Sequence, residues 1–112
     1  MKSVDIAVII LNYNTSEDAL AAEKSVIDNT EHSFQICLVD NASPKKGEVE
    51  RLQNHHLPDT VFLPIEKNEG YATGNNKGVI VIEIATANVK AVSKSCFHAL
   101  NKNIIGIIKT IK

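Results

Sequence analysis

The chain has 112 residues, 44% of them hydrophobic and 22% charged, with a formal net charge of −1. That describes one small globular domain, or a piece of a larger one. It is too apolar for disorder and too nearly neutral to call for a nucleic acid or an anionic membrane surface. Tryptophan is absent and aromatics make up 4%, which argues against a stacking platform for bases.

The first element is the aliphatic run Ile6 to Leu11 in "VDIAVIILNYN". A continuous β-branched run of this length is the pattern of a strand buried on both faces, as in a parallel sheet. It ends in the polar, turn-forming Asn12-Tyr13-Asn14. "SEDALAAEKSVIDNT" then reads as a helix, with Ser16 as N-cap, Glu17 and Asp18 in the first turn, and Leu20, Ala21, Val26 and Ile27 near one face. "FQICLVD", Phe34 to Asp40, is a second buried strand that ends in a carboxylate. "NASPKK" is a loop with Pro44 at a helix start, "GEVERLQNHH" a short helix, and "TVFLPI", Thr60 to Ile65, a third strand. "EKNEGYATGNNKG" is a loop running into a further helix over about 72–82. Strands alternating with helices predict a three-layer α/β/α, Rossmann-like unit with a mainly parallel sheet and right-handed crossovers.

The last third changes character. After Gly78 there is one carboxylate, Glu83, against the five lysines Lys90, Lys94, Lys102, Lys109 and Lys112. Val89, Val92, Cys96, Leu100, Ile104, Ile107 and Ile111 recur at three- and four-residue steps, which predicts a helix through about 88–103. "VIVIEI" and "IIGII" favour strand by propensity, so the end of the chain is open to either. The change of composition divides the chain into residues 1–78 and a divergent tail, 79–112, expected to pack on the same domain. Surface left apolar by such a tail, or a bare strand edge, would be covered by association into a homo-oligomer.

Two cysteines, no run long enough to span a membrane and no secretory leader before the first strand suggest a reduced, cytoplasmic protein. Cys37 reads as a small core residue. His55 and His56 have no other ligand type near them in sequence, so no metal site is expected there.

Ligands of doubly wound sheets bind outside the carboxyl ends of the strands. Three polar clusters fall at such ends: Asn12-Tyr13-Asn14, Asp40-Asn41-Ala42-Ser43, and Asn68 to Gly78. A lone Asp at a strand end usually caps a turn; three clusters converging on one edge favour a nucleotide-sized site. Neither the G-x-G-x-x-G dinucleotide loop nor the GxxxxGK[ST] phosphate loop is present. Gly70, Gly74 and Gly78 recur every four residues, which on a helix would equally serve close packing.

"VIILNYN", "LVDNASP" and "NEGYATGNNKG", in this order and at these separations, resemble the N-terminal, nucleotide-binding half of a family 2 glycosyltransferase with the GT-A fold, closest to rhamnosyltransferase-like members. The resemblance covers residues 4–78. It implies a nucleotide sugar, UDP- or dTDP-linked, as partner, and inverting transfer of the sugar to an acceptor hydroxyl as the family reaction. By the same resemblance Asn12, Tyr13 and Asn14 border the nucleotide, and Asp40 holds the pyrimidine edge by accepting from a ring N–H. Asn41 and Ser43 lie in the adjoining loop, and Asn68, Gly70, Gly74 and Asn75 shape the base and ribose side.

Full-length relatives carry a D-x-D-like motif at the end of the next strand, which binds Mg²⁺ or Mn²⁺ against the diphosphate, and a carboxylate base further on. Neither is found beyond Gly78, so no catalytic and no metal-ligating residue is assigned. Lys90 and Lys94 are the nearest cations that could stand in for a metal, and His98 reads as a residue on an apolar-rich helix. The alternative is a truncated, inactive or purely structural fragment.

Overall fold

The computed structural model describes residues 2–98, with side chains between residues 4 and 84. Four strands, β1 (Lys2–Tyr13), β2 (Phe34–Asn41), β3 (Val61–Ile65) and β4 (Thr86–His98), form one sheet in the order β3-β2-β1-β4. All neighbours run parallel. The helices α1 (Ser16–Asn29), α2 (Glu48–His55) and α3 (Tyr71–Ala85) make the crossovers. None of them is long and apolar enough to cross a membrane.

The two core clusters follow from the pleat. Successive strand residues face opposite sides. Ile6, Val8, Ile10, Ile36 and Leu38 point to one layer and meet Ala19, Ala22 and Val26 of α1 and Leu52 of α2. Ala7, Ile9, Leu11, Cys37 and Val39 point to the other and meet Ile82, Val79 and Val81 of α3. The predicted three-layer α/β/α arrangement is therefore present. β1 is central and buried on both faces from Ile6 to Asn12.

Two helix starts differ from the sequence reading. Thr15 is the N-cap of α1, and Ser16 is the first helical residue. Pro44 does not start α2; the helix begins at Glu48, after Gly47 at φ 88°.

The larger difference is β4. The helix expected over 88–103 is, through residue 98, a thirteen-residue strand paired with β1 from Lys2↔Thr86 to Tyr13↔His98. The three- and four-residue spacing of Val89, Val92 and Cys96 was satisfied by chance. Docking against the edge of β1 supplies a ladder of backbone hydrogen bonds that outweighs a weak helical period. Leu100, Ile104, Ile107 and Ile111 lie outside the described residues. The expected boundary at residue 78 falls inside α3.

Candidate functional site

Strand order reverses between β1 and β4: β2 and β3 extend from one side of β1, and β4 returns on the other. That is the topological switch point of an open parallel sheet, and its carboxyl end is the default ligand crevice. The three polar clusters reach this edge, in two groups on opposite faces of the sheet.

The first group lies on the α1/α2 face. Asn12 and Asp40 are register partners on adjacent strands, both wholly buried. Asn12 Nδ2 donates to Asp40 Oδ1 (3.0 Å) and to Glu48 Oε1 (3.3 Å), and its Oδ1 accepts from the Thr15 amide (3.2 Å). The Asp40 carboxylate also accepts from the Ser43 amide (3.0 Å) and the Ser43 hydroxyl (2.7 Å). Ser43 Oγ in turn accepts from the Asn14 amide (2.9 Å), and Asn14 Oδ1 from the Lys45 amide (3.1 Å). The loops after β1 and β2 are thus stitched together by side chains of one and backbone of the other. Asn14 (φ 60°) and Ala42 (φ 56°) both hold left-handed backbone here, a conformation that costs a non-glycine residue about 1–2 kcal/mol.

Glu48, which the sequence did not single out, is central to this group. It is 2% exposed and accepts from the Ser16 amide (2.9 Å) and the Ser16 hydroxyl (2.7 Å), with Arg51 at 3.6 Å. Thr15 makes no side-chain cap bond. A carboxylate from α2 therefore caps α1, satisfying an orphan N–H and complementing the positive end of the helix. In sequence, an acid in the first turn of a short helix looks like an exposed dipole partner, so only the neighbouring serine amide reveals its use. A cleft of about 400 Å³ opens beside Asn14, Ser16, Lys45, Glu48 and Arg51. The α1 N-terminus beside it already has its anion, in Glu48.

The second group lies on the α3 face. Asn41 Nδ2 donates to Asn68 Oδ1 (3.1 Å) and to the Gly70 carbonyl (3.4 Å); Asn68 Oδ1 also accepts from the Gly70 amide (2.8 Å). Gly70 takes φ 99° with open space around it, so glycine serves the backbone turn. Gly74 and Gly78 serve packing. A Cβ on Gly74 would lie 2.8 Å from Leu11 Cδ1, and one on Gly78 would lie 2.7 Å from Ile9 Cγ2. These two glycines let α3 settle on β1 and β2 and face the sheet. The buried Oδ1 atoms of Asn41 and Asn75, at 4% and 6% residue exposure, have no hydrogen-bond partner among the described residues.

Of the sequence-predicted residues, Asn12, Asn14, Asp40 and Ser43 form one connected network, and Asn41, Asn68 and Gly70 a second. Tyr13 is half-buried at the end of β1. Gly74 and Asn75 sit in the first turns of α3. Among the described residues, no group of three or more His, Cys, Asp or Glu side chains is placed to hold a metal ion. Cys37 is free and buried, and burial pushes its thiol pKa up to about 12.

Comparison with known proteins adds the family. No curated protein matches the chain. Among solved structures, a mannosyltransferase from Pyrobaculum calidifontis, described in complex with GDP-Man and Mn²⁺, superposes with a TM-score of 0.58 at 17% identity, over 86% of this chain and 28% of that one. S. aureus TarS, residues 1–349, gives 0.54 at 19% identity, over 82% of this chain and 27% of that one. At these identities the likeness establishes the fold alone, and the chain spans little more than a quarter of either neighbour. The model of glycosyl transferase family 2 matches residues 7–82, more than half of the chain. Together with the GT-A-like sheet, that match places the chain in glycosyl transferase family 2.

Proposed function

We propose that these 112 residues are the nucleotide-binding unit of a rhamnosyltransferase-like family 2 glycosyltransferase. The unit holds the nucleoside diphosphate of a UDP- or dTDP-sugar at the carboxyl edge of the sheet. The reaction it belongs to is inverting transfer of the sugar to an acceptor hydroxyl. The observation that carries this reading is the cross-linking of the polar clusters at a switch point, through Asn14 to Ser43 on one face and Asn41 to Asn68 on the other. A cytoplasmic location accords with the unpaired Cys37.

The residues act at different distances from the ligand. Asp40 is wholly buried and its carboxylate is committed to Asn12 and Ser43, so it organises the loops that border the nucleotide. Direct contact with a pyrimidine N–H would require Ser43 to release it. Asn68, Gly70 and the half-buried Tyr13 are the groups open to a ligand. The 112 residues bind without transferring sugar, since no base or cation site is assigned in them. Calorimetric titration with UDP, dTDP and GDP tests the reading: UDP and dTDP bind, and GDP binds more weakly. Tighter GDP binding would overturn the pyrimidine assignment, and metal-dependent sugar transfer by this chain would overturn the assignment as a binding unit. The burial of Asp40 favours a second reading, a purely structural fragment, which stands if no nucleotide binds.

A further inference from the structure

The buried floor of the α1/α2 face is saturated, but the rim of its cleft is not. Four charged side chains line that rim. Glu17 and Asp18 come from the first turn of α1, Lys45 from the loop before α2, and Arg51 from α2 itself. Glu17, Lys45 and Arg51 are exposed and Asp18 is half-buried. Among the described residues no ion pair crosses from the α1 acids to the two cations. Opposite charges thus face one cleft without closing on each other.

The two cations are positioned by the structure beneath them. Arg51 Nη1 donates to Ser16 Oγ (2.9 Å) and lies 3.6 Å from Glu48 Oε2, which fixes one edge of the guanidinium. Its remaining N–H donors have no partner among the described residues. The Lys45 amide donates to Asn14 Oδ1 (3.1 Å), so the backbone that carries its ammonium is anchored. The end of α1 adds no site of its own, because Glu48 already accepts from the Ser16 amide. The lysines of β4 weighed as stand-ins for a metal are not at this edge: Lys94 is in register with Ile9, about 13 Å back along the strand from Tyr13.

A ligand for this cleft must answer both walls. A bare phosphate would meet Lys45 and Arg51 but be repelled by Glu17 and Asp18. A neutral sugar would leave two cations with hydroxyls alone. A phosphate esterified to a sugar meets both demands. Its oxygens accept from ammonium and guanidinium, and a carboxylate accepts from neighbouring sugar hydroxyls. The cleft, about 400 Å³, lies within the roughly 300–1,000 Å³ of small-molecule sites. We propose that it is a sugar-phosphate site, with Lys45 and Arg51 on the phosphate and Glu17 and Asp18 on the sugar hydroxyls. The ligand class follows from the cleft; that the donor supplies it rests on the nucleotide-sugar reading above. A phosphorylated acceptor carries the same chemistry.

The test is amide NMR titration of the chain with glucose 1-phosphate, inorganic phosphate, glucose, uridine and UDP-glucose. Glucose 1-phosphate is expected to shift the Asn14, Glu17, Asp18 and Lys45 amides. It should bind about tenfold more tightly than inorganic phosphate or glucose, as charge-assisted and hydroxyl bonds combine. Lys45→Gln, at an exposed side chain, should weaken glucose 1-phosphate about tenfold and leave uridine unchanged. Asp18→Asn should weaken glucose 1-phosphate but not inorganic phosphate, a split that repulsion alone does not produce. The proposal is overturned by equal binding of glucose 1-phosphate and inorganic phosphate, by no change in Lys45→Gln, or by tighter glucose 1-phosphate binding in Asp18→Asn. UDP-glucose separates the two sources. Competition with glucose 1-phosphate and an equal loss in Lys45→Gln assign the cleft to the donor, whereas simultaneous binding assigns it to a phosphorylated acceptor. Uridine binding without any response to glucose 1-phosphate overturns the cleft assignment and keeps the nucleotide reading. Glucose 1-phosphate binding without uridine or UDP-glucose does the reverse.

Discussion

The two faces of the carboxyl edge are built on opposite principles. On the α1/α2 face the polar groups are saturated: Asn12, Asp40, Ser43, Glu48 and Ser16 meet one another's donors and acceptors, and Arg51 reaches Ser16 Oγ at 2.9 Å. On the α3 face contact comes from the absence of side chains at Gly74 and Gly78, and two buried amide oxygens, of Asn41 and Asn75, are left unpaired. A satisfied buried network rigidifies and defines a single arrangement, whereas an unpaired buried acceptor is stored free energy available to a donor. The first face therefore holds the loops in place, and the second keeps two buried acceptors without a donor among the described residues.

The comparison breaks most severely at Glu48. Glu48→Ala strips the caps from the Ser16 amide and hydroxyl and removes a partner of Asn12, all buried, and is expected to cost about 2–4 kcal/mol in a urea titration, following the penalty for orphaned buried donors. Glu48→Gln, which keeps one acceptor oxygen, should cost less than half of that. A loss under about 0.5 kcal/mol for the alanine variant would show that the network is incidental.

The packed face breaks next, and unevenly. Gly78→Ala drives a methyl to 2.7 Å from Ile9 Cγ2 and 3.0 Å from Val39 Cγ2, both on β-branched side chains held close to their strands. It should destabilise by about 1–2 kcal/mol by overpacking, net of the better helix propensity of alanine. Gly74→Ala meets Leu11 Cδ1, the far end of a side chain that can rotate, and should be close to neutral by thermal melting. Equal effects at the two positions would contradict the packing account.

Asn75 sharpens the contrast with a change of sign. Asn75→Ala removes an unpaired buried oxygen and adds helix propensity, so stability should rise by about 0.5–1 kcal/mol, where an amide in a saturated network would lose it. A destabilised variant would mean that the oxygen is paired in solution.

The smallest effect is confined to alkaline pH. The Cys37 thiol is raised from 9.0 to about 12 by burial, so the folded state retains its proton more strongly than the unfolded chain. The stability tied to that proton is fully present below pH 9 and is lost as pH rises through about 12. In a Cys96→Ser background, native protein should resist a disulfide reagent at neutral pH and react at once in denaturant. Cys37→Ala should flatten the alkaline decline.

Much of the fold was legible because it is written in local pattern. The unbroken aliphatic run of β1 and the apolar core of β2 can only be strands covered on both faces, and the polar residues that terminate them must reach the same edge of a parallel sheet. Asn12, Asn14, Asp40 and Ser43 could be picked out for that reason, and all four lie within the family match over residues 7–82. Glu48 and Arg51 could not, because their partners are more than 30 residues away along the chain and nothing in the first turn of α2 marks one acid as buried. β4 was misread because Val89, Val92 and Cys96 satisfy a helical period, while the strand is decided by pairing with the edge of β1, a distant segment.

The sequence by itself determined the layer order, the parallel sheet and the edge at which polar residues gather, since period and composition are properties of neighbouring residues. Tertiary structure alone decided that Gly74 and Gly78 face the sheet, that Glu48 caps a helix other than its own, and that His98 stands beside Tyr13. Each of those depends on which surface a distant segment offers. An edge of β1 open to a fourth strand converts a weakly helical stretch into β4, because a full ladder of backbone hydrogen bonds is worth more than the small differences in local propensity.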